Sequence, residues 1–122
     1  MPGLPEPISH YTDAVRARDT VYVSGLVATD EHGEVVGVGD VVAQARRVFH
    51  NLGLVLEAVG GRPADVAKVT VFMRDVDQRP AINPVRQAFF GDHRPASTLV
   101  EVSRLVRDDL LLEVEAVVVL PA

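Results

Sequence analysis

Two segments near the C-terminus have a side-chain period of two, and this pattern constrains the fold more than any other part of the chain. Ser97, Leu99 and Glu101 interleave with Thr98, Val100 and Val102; Leu111, Glu113 and Glu115 interleave with Leu112, Val114 and Ala116. Both segments are strands by that period. Residues Leu105 to Asp109 between them are charged and too few for a helix, so an antiparallel hairpin joining the two is the expectation. In that register the Val/Leu positions share a core face, while Ser97, Leu99, Glu101, Leu111, Glu113 and Glu115 share the other.

The rest of the chain supplies the elements that cover such a sheet. Three prolines in Met1 to Ser9 make the lead-in extended and irregular. A short strand is expected within Tyr11 to Arg16 and a second at Val21 to Val23, ending at Ser24-Gly25. After a turn at Asp30 to Glu34, Val35-Val36 reads as a brief strand. Asp40 offers an N-cap, and Val41, Ala45, Val48, Phe49, Leu52, Val55, Leu56 and Val59 recur at helical spacing until Gly60-Gly61 stop the run. Gln44, Arg46, Arg47 and Asn51 are expected to face outward from that helix. Val66 to Phe72 is β-branched and aromatic, a strand, and Asp75 to Pro80 a charged turn. Ile82 to Phe90 suits a shorter helix with Asn83 as N-cap and Pro84 in its first turn, ended by Gly91. The fold class is therefore α+β: one domain spanning 1–122, a mixed β-sheet with two helices packed on one face. Its second face then carries both apolar and carboxylate side chains, which suits burial in an oligomer.

Composition removes several functions. The net charge of -5, with Arg46-Arg47 the sole adjacent basic pair, argues against a nucleic-acid partner, since phosphate neutralisation needs clustered cations. There is no cysteine, so disulfides, thiol nucleophiles and thiolate metal ligation are out. The N-terminus lacks the order of a signal peptide and no apolar run approaches a membrane span; no membrane partner and a cytoplasmic location are expected. The four histidines, His10, His32, His50 and His93, have no metal-ligand spacing.

Glu113 and Glu115 stand two apart on one strand, with Glu101 on the same side in the expected register; a cleft carboxylate of raised pKa on that face would be able to activate water, although glutamates on a strand are more often solvated charges. Ser24-Gly25 offers a hydroxyl and an N–H at a strand end, without the nucleophile elbow of a serine hydrolase. Gly37 and Gly39 before Asp40 lack the lysine and further glycine of a phosphate loop, and Arg104 and Arg107 read as surface charges.

Taken in order, Tyr11, Val23-Ser24-Gly25, Gln44-Ala45, Lys68 to Phe72, Asn83, Ala88-Phe89-Phe90, Arg94-Pro95-Ala96, Val100-Glu101-Val102 and Glu113 to Ala116 resemble the Rid (reactive intermediate deaminase, RidA-like) family over nearly the whole chain. The resemblance implies a chorismate-mutase-like fold, a homotrimer with ligand clefts between subunits, and cofactor-free hydrolysis of imines and enamines to keto acids and ammonia. It implies catalytic roles for Glu113, which orients water, Ser24 and Tyr11, with Gly25, Asn83, Ser97 and Leu99 around a small-molecule substrate. It also implies an arginine directly after Pro-Ala that pairs with the substrate carboxylate. Ser97 stands there, and Leu99 replaces a cysteine two positions on. A serine cannot supply a bidentate charged fork, so the expected substrate is less anionic unless Arg86 or Arg94 compensates. A non-catalytic metabolite-binding or protein-interaction trimer is the alternative reading, and a ribonuclease or translation inhibitor ranks last.

Overall fold

A computed structural model describes all 122 residues. Strands β1 (Ala14–Ala17) and β2 (Thr20–Leu26) precede the long helix α1 (Val41–Val59); β3 (Val66–Met73), helix α2 (Arg79–Phe90), β4 (Ala96–Glu101) and β5 (Leu112–Val119) follow. One mixed sheet has the order β1-β2-β5-β3-β4.

The C-terminal strands do not form a hairpin. β5 lies antiparallel between β2 and β3, whereas β4 pairs parallel with β3 at the sheet edge. The physical reason lies in α2: a helical crossover after β3 returns the chain in the same direction, so β4 adds parallel. The following segment then crosses the end of β3, and β5, with Leu112, Val114 and Val118 fully buried, takes the central position that its apolar face requires.

This topology also corrects the expected faces. Ser97, Leu99 and Glu101 stand opposite Val69, Val71 and Met73, on the helix-covered side. Glu113 and Glu115 stand opposite Phe72 and Thr70, on the open side. Glu101 spends its carboxylate on the Val76 N–H, 3.1 Å away, starting the 3-10 turn Val76–Gln78.

Helix α1 runs as its periodicity predicts. The Asp40 side chain accepts from the Ala43 N–H, and Gly60 closes the helix at φ 75°, a left-handed conformation suited to glycine. Gln44 and Asn51 point inward, not outward, and are buried at 0% and 1% exposure. Gln44 donates to the carbonyls of Gly37 (3.2 Å) and Asp109 (2.8 Å) and accepts from the Leu111 N–H (2.8 Å). It thereby ties α1 to the segment entering β5; a polar residue on an apolar stripe is tolerated when each of its bonds is made.

α2 begins earlier than expected, at Arg79. Pro80 takes the first turn, Gln78 is the cap residue, and Pro84 and Asn83 lie inside the helix. β1 is likewise shorter than the segment expected from Tyr11, and Val35 makes only an isolated bridge to Thr29. The two helices pack through Phe49, Phe89 and Phe90, with ring centroids 5.0–5.9 Å apart. The open face of the sheet leaves Val15, Tyr22, Val100 and Val119 exposed. No helix is long and apolar enough to cross a membrane.

Candidate functional site

β2 does not end at Ser24-Gly25. Its register shifts between Val23, opposite Ala116, and Leu26, opposite Val114, so Ser24 and Gly25 together face the single residue Glu115. This β-bulge re-aims the backbone locally. It brings Gly25 beneath the Glu113 side chain: a Cβ on Gly25 would lie 2.6 Å from Glu113 Oε2. The glycine is therefore required by close approach, not by backbone conformation.

Glu113 is half-buried, and burial, with a smaller contribution from the Glu115 charge, raises its pKa above the ordinary 4.5. Desolvation favours the neutral acid and so makes the carboxylate a stronger base when it is ionised. With Tyr11, Ser24 and Gly25 it lines a cavity of about 450 Å³. The proline-rich lead-in supplies another wall through Leu4, Pro5 and Ile8. Ser24 anchors that lead-in: its Oγ donates to the Thr12 carbonyl at 2.6 Å, and its N–H donates to the Asp13 carbonyl at 2.9 Å. With both donors committed, Ser24 offers the cavity only lone pairs and holds Tyr11 in place.

Three further residues of this cavity escaped the sequence reading. Asn51 donates to the carbonyls of Val27 and Thr29, both at 3.0 Å, and shapes the loop behind the bulge. Arg107, expected on the surface, lines the cavity and donates to the Gly33 carbonyl at 2.9 Å. Thr29 joins them there. For Asn51 the signal was its place on the α1 stripe, between Val48 and Val55; the other two depend on loop paths that carry no period.

The remaining expected residues lie elsewhere. Asn83 and Arg86 line a second cavity of about 660 Å³ with Gln87, His93 and Arg94. Arg86 Nη2 donates to Ser97 Oγ at 2.7 Å. Leu99 is half-buried and packs against the core, lining neither cavity. Ser97 and Glu113 are two strand spacings apart and offset by three residues along β3, since Ser97 stands opposite Val69 and Glu113 opposite Phe72, which separates their backbones by roughly 14 Å and puts them on opposite faces of the sheet. Within the chain these residues thus form two groups, one around Glu113 and one around Arg86 and Ser97.

Residues 2–120 match the family model described as endoribonuclease L-PSP. The chain belongs to this family, the Rid family. A 3-aminoacrylate deaminase RutC of Acinetobacter baylyi is 41% identical over 115 residues, covering 94% of this chain and 90% of that protein. A 2-iminobutanoate/2-iminopropanoate deaminase of Dermatophagoides farinae is 35% identical over 119 residues, covering 98% and 92%. The crystal structure of RidA from an Antarctic Psychrobacter superposes with a TM-score of 0.90 at 31% identity, covering 97% of this chain and 94% of that one. The Rid resemblance in the sequence is thus borne out, as is the mixed sheet with its two helices. The two side-chain groups are how this Rid chain distributes the residues that the resemblance singled out.

Proposed function

We propose that this protein is a cofactor-free hydrolytic deaminase of small imines or enamines, working as a homotrimer in clefts between subunits. The observation that carries the reading is Glu113: a half-buried carboxylate of raised pKa, above a glycine that leaves it room, in a cavity walled by Tyr11 and Ser24. Two similar proteins are named as deaminases of 3-aminoacrylate and of 2-iminobutanoate, which supports the reaction class.

In the reaction, Glu113 accepts a proton from a water as the water oxygen bonds to the imine carbon, and delivers that same proton to the imine nitrogen, which leaves Glu113 ionised again. The resulting carbinolamine returns its hydroxyl proton through Glu113 to the nitrogen, and the C–N bond breaks to release ammonia and a ketone. An enamine first gains a proton at carbon and loses one from nitrogen to reach the imine. Such acid–base assistance by a positioned carboxylate contributes on the order of 10²–10⁴-fold.

The trimer joins the two side-chain groups: the Glu113 cavity of one protomer meets the Asn83, Arg86 and Ser97 group of the next. Support comes from their separation within one chain and from the exposed apolar residues Val15, Tyr22, Val100 and Val119 on the open sheet face, which a subunit contact would cover. An RNA-cleaving role has no comparable support, because the net charge is -5 and the basic residues are scattered. The test is release of ammonia from 2-iminobutanoate generated in solution. Wild-type protein accelerates it over buffer, and Glu113→Gln loses the acceleration while still binding the keto acid. No acceleration by the wild-type protein would sink the proposal.

A further inference from the structure

Three exposed apolar side chains converge on the Glu113 cavity. Ile8, Tyr11 and Val106 are 73%, 49% and 62% exposed, and all three line it. Leu26 and Leu110, both buried, line it too, so its wall is apolar from the interior to the mouth. Exposed apolar residues scattered singly need no explanation, but a cluster around one cavity does. This cluster is separate from the sheet-face residues Val15, Tyr22, Val100 and Val119, which line neither cavity. Apolar surface joined to a few polar groups such as Glu113 and Ser24 is the make-up of a ligand site, in which the polar groups set orientation and the apolar wall supplies affinity.

The two segments that carry the wall differ in how firmly they are held. Val106 precedes Arg107, which donates to the Gly33 carbonyl at 2.9 Å, and the Leu110 N–H donates to the Arg107 carbonyl at 3.2 Å. The lead-in is fixed only at its ends, by Leu4 against the core and by the bonds of Ser24 to the Thr12 and Asp13 carbonyls. Between them, residues 5–10 make no backbone hydrogen bond to the body of the protein; the Ser9 carbonyl accepts only from the Tyr11 N–H within the lead-in, at 2.9 Å. Ile8 can therefore shift to fit groups of different size without breaking a bond to the body. The space is ample: about 450 Å³ falls within the roughly 300–1,000 Å³ of pockets that hold drug-sized ligands, and an imine of three or four carbons leaves much of the wall uncovered.

We infer that Ile8 of the lead-in and Val106 of the loop before β5 form an apolar subsite for the substituent on the reacting carbon, and that this protein prefers substrates with branched or aromatic groups there. The inference rests on the deaminase reading for the reaction and deepens it by assigning the substituent that the cavity selects. Ile8 and Val106 are specificity-determining residues in this assignment, with no part in the bond-making steps.

The test compares the imines of leucine and phenylalanine with 2-iminobutanoate, each generated in solution from its amino acid by an amino-acid oxidase, and measures kcat/KM for hydrolysis by the intact protein. The leucine imine carries two more carbons than 2-iminobutanoate, and each carbon removed from water is worth up to about fourfold, so the wild-type preference is expected to be about 5- to 15-fold. Ile8→Ser and Val106→Ser, at exposed positions that tolerate a small polar residue, each lower that ratio about threefold. Val38→Ser, comparably exposed at 69% but outside the cavity, leaves it unchanged. Calorimetry of 4-methyl-2-oxopentanoate against 2-oxobutanoate measures the same preference without turnover. A wild-type ratio of one or less, or a ratio that survives in both cavity variants, overturns the inference. An unchanged ratio with a lowered mass by light scattering in either variant also overturns it and gives the cluster to a subunit contact. A keto-acid preference lost in the variants, without turnover, would remove the deaminase and keep the subsite; turnover of 2-iminobutanoate with no preference among substituents would do the reverse.

Discussion

Gly25→Ala separates the position of the Glu113 carboxylate from everything else that holds the protein together. The new methyl carbon would lie 2.6 Å from Oε2, 2.7 Å from Cδ and 3.1 Å from Cγ of Glu113, against the 3.4 Å at which ordinary contact begins. The carboxylate must therefore retreat by about 0.8 Å, and a displacement near 1 Å in a reacting group costs on the order of 10²-fold in rate. The fold should notice little. Gly25 is not among the glycines of positive φ, so alanine is compatible with its backbone, and the obstructing atoms end a flexible side chain. Loss of glycine entropy in the unfolded chain even contributes about 0.4–1 kcal/mol of stability. The expected result is a kcat for imine hydrolysis reduced about 10- to 100-fold, with the melting temperature and keto-acid affinity close to wild type. Steady-state kinetics beside thermal melts decide it. A folded Gly25→Ala protein with kcat within twofold of wild type would show that the carboxylate does not act from where it sits.

Three other perturbations follow from the same geometry. Because the folded protein holds the Glu113 proton more tightly than the unfolded chain does, its contribution to stability is present in full below the ordinary value of 4.5 and is lost as pH rises through the raised folded value. Glu113→Gln should therefore melt higher than wild type at pH 7, with the advantage vanishing in melts below about pH 4.5, while the wild-type rate rises as Glu113 ionises; a Glu113→Gln protein less stable than wild type at pH 7 would refute the burial argument. Gln44→Ala strands buried backbone groups at Gly37, Asp109 and Leu111 and should cost about 2–4 kcal/mol in urea unfolding. Tyr22→Asp on the open sheet face should convert the proposed trimer to smaller species by light scattering with the secondary structure retained, and an unchanged mass would count against a subunit contact on that face.

How far the sequence could be read depended on whether a feature was local. Helix α1 was legible almost to the residue, since its cap, apolar period and terminal glycine each act within a turn or two of backbone. β3 and the character of β4 and β5 were equally plain. Partner choice was not: a strand's period says which residues share a side, but not which strand lies beside it. For Gln44 and Asn51 the polar residue type suggested an outward face, whereas their position on the apolar stripe was the better guide. Arg86 sits on such a stripe too, between Ile82 and Phe90, and its spacing was the available sign of burial.

The sequence by itself determined the element types, the single mixed domain, the family, and Glu113 as the carboxylate to watch. These follow from side-chain period, capping chemistry and an ordered set of short motifs, all of which are written along the chain. Tertiary structure alone decided that β4 crosses to the far edge, which puts Ser97 and Glu113 on opposite faces of one sheet. It also brought the guanidinium of Arg86 to the Ser97 hydroxyl, because packing of α2 on α1 through Phe49, Phe89 and Phe90 sets where that helix directs its side chains. Distance in space between residues on different elements has no period to betray it.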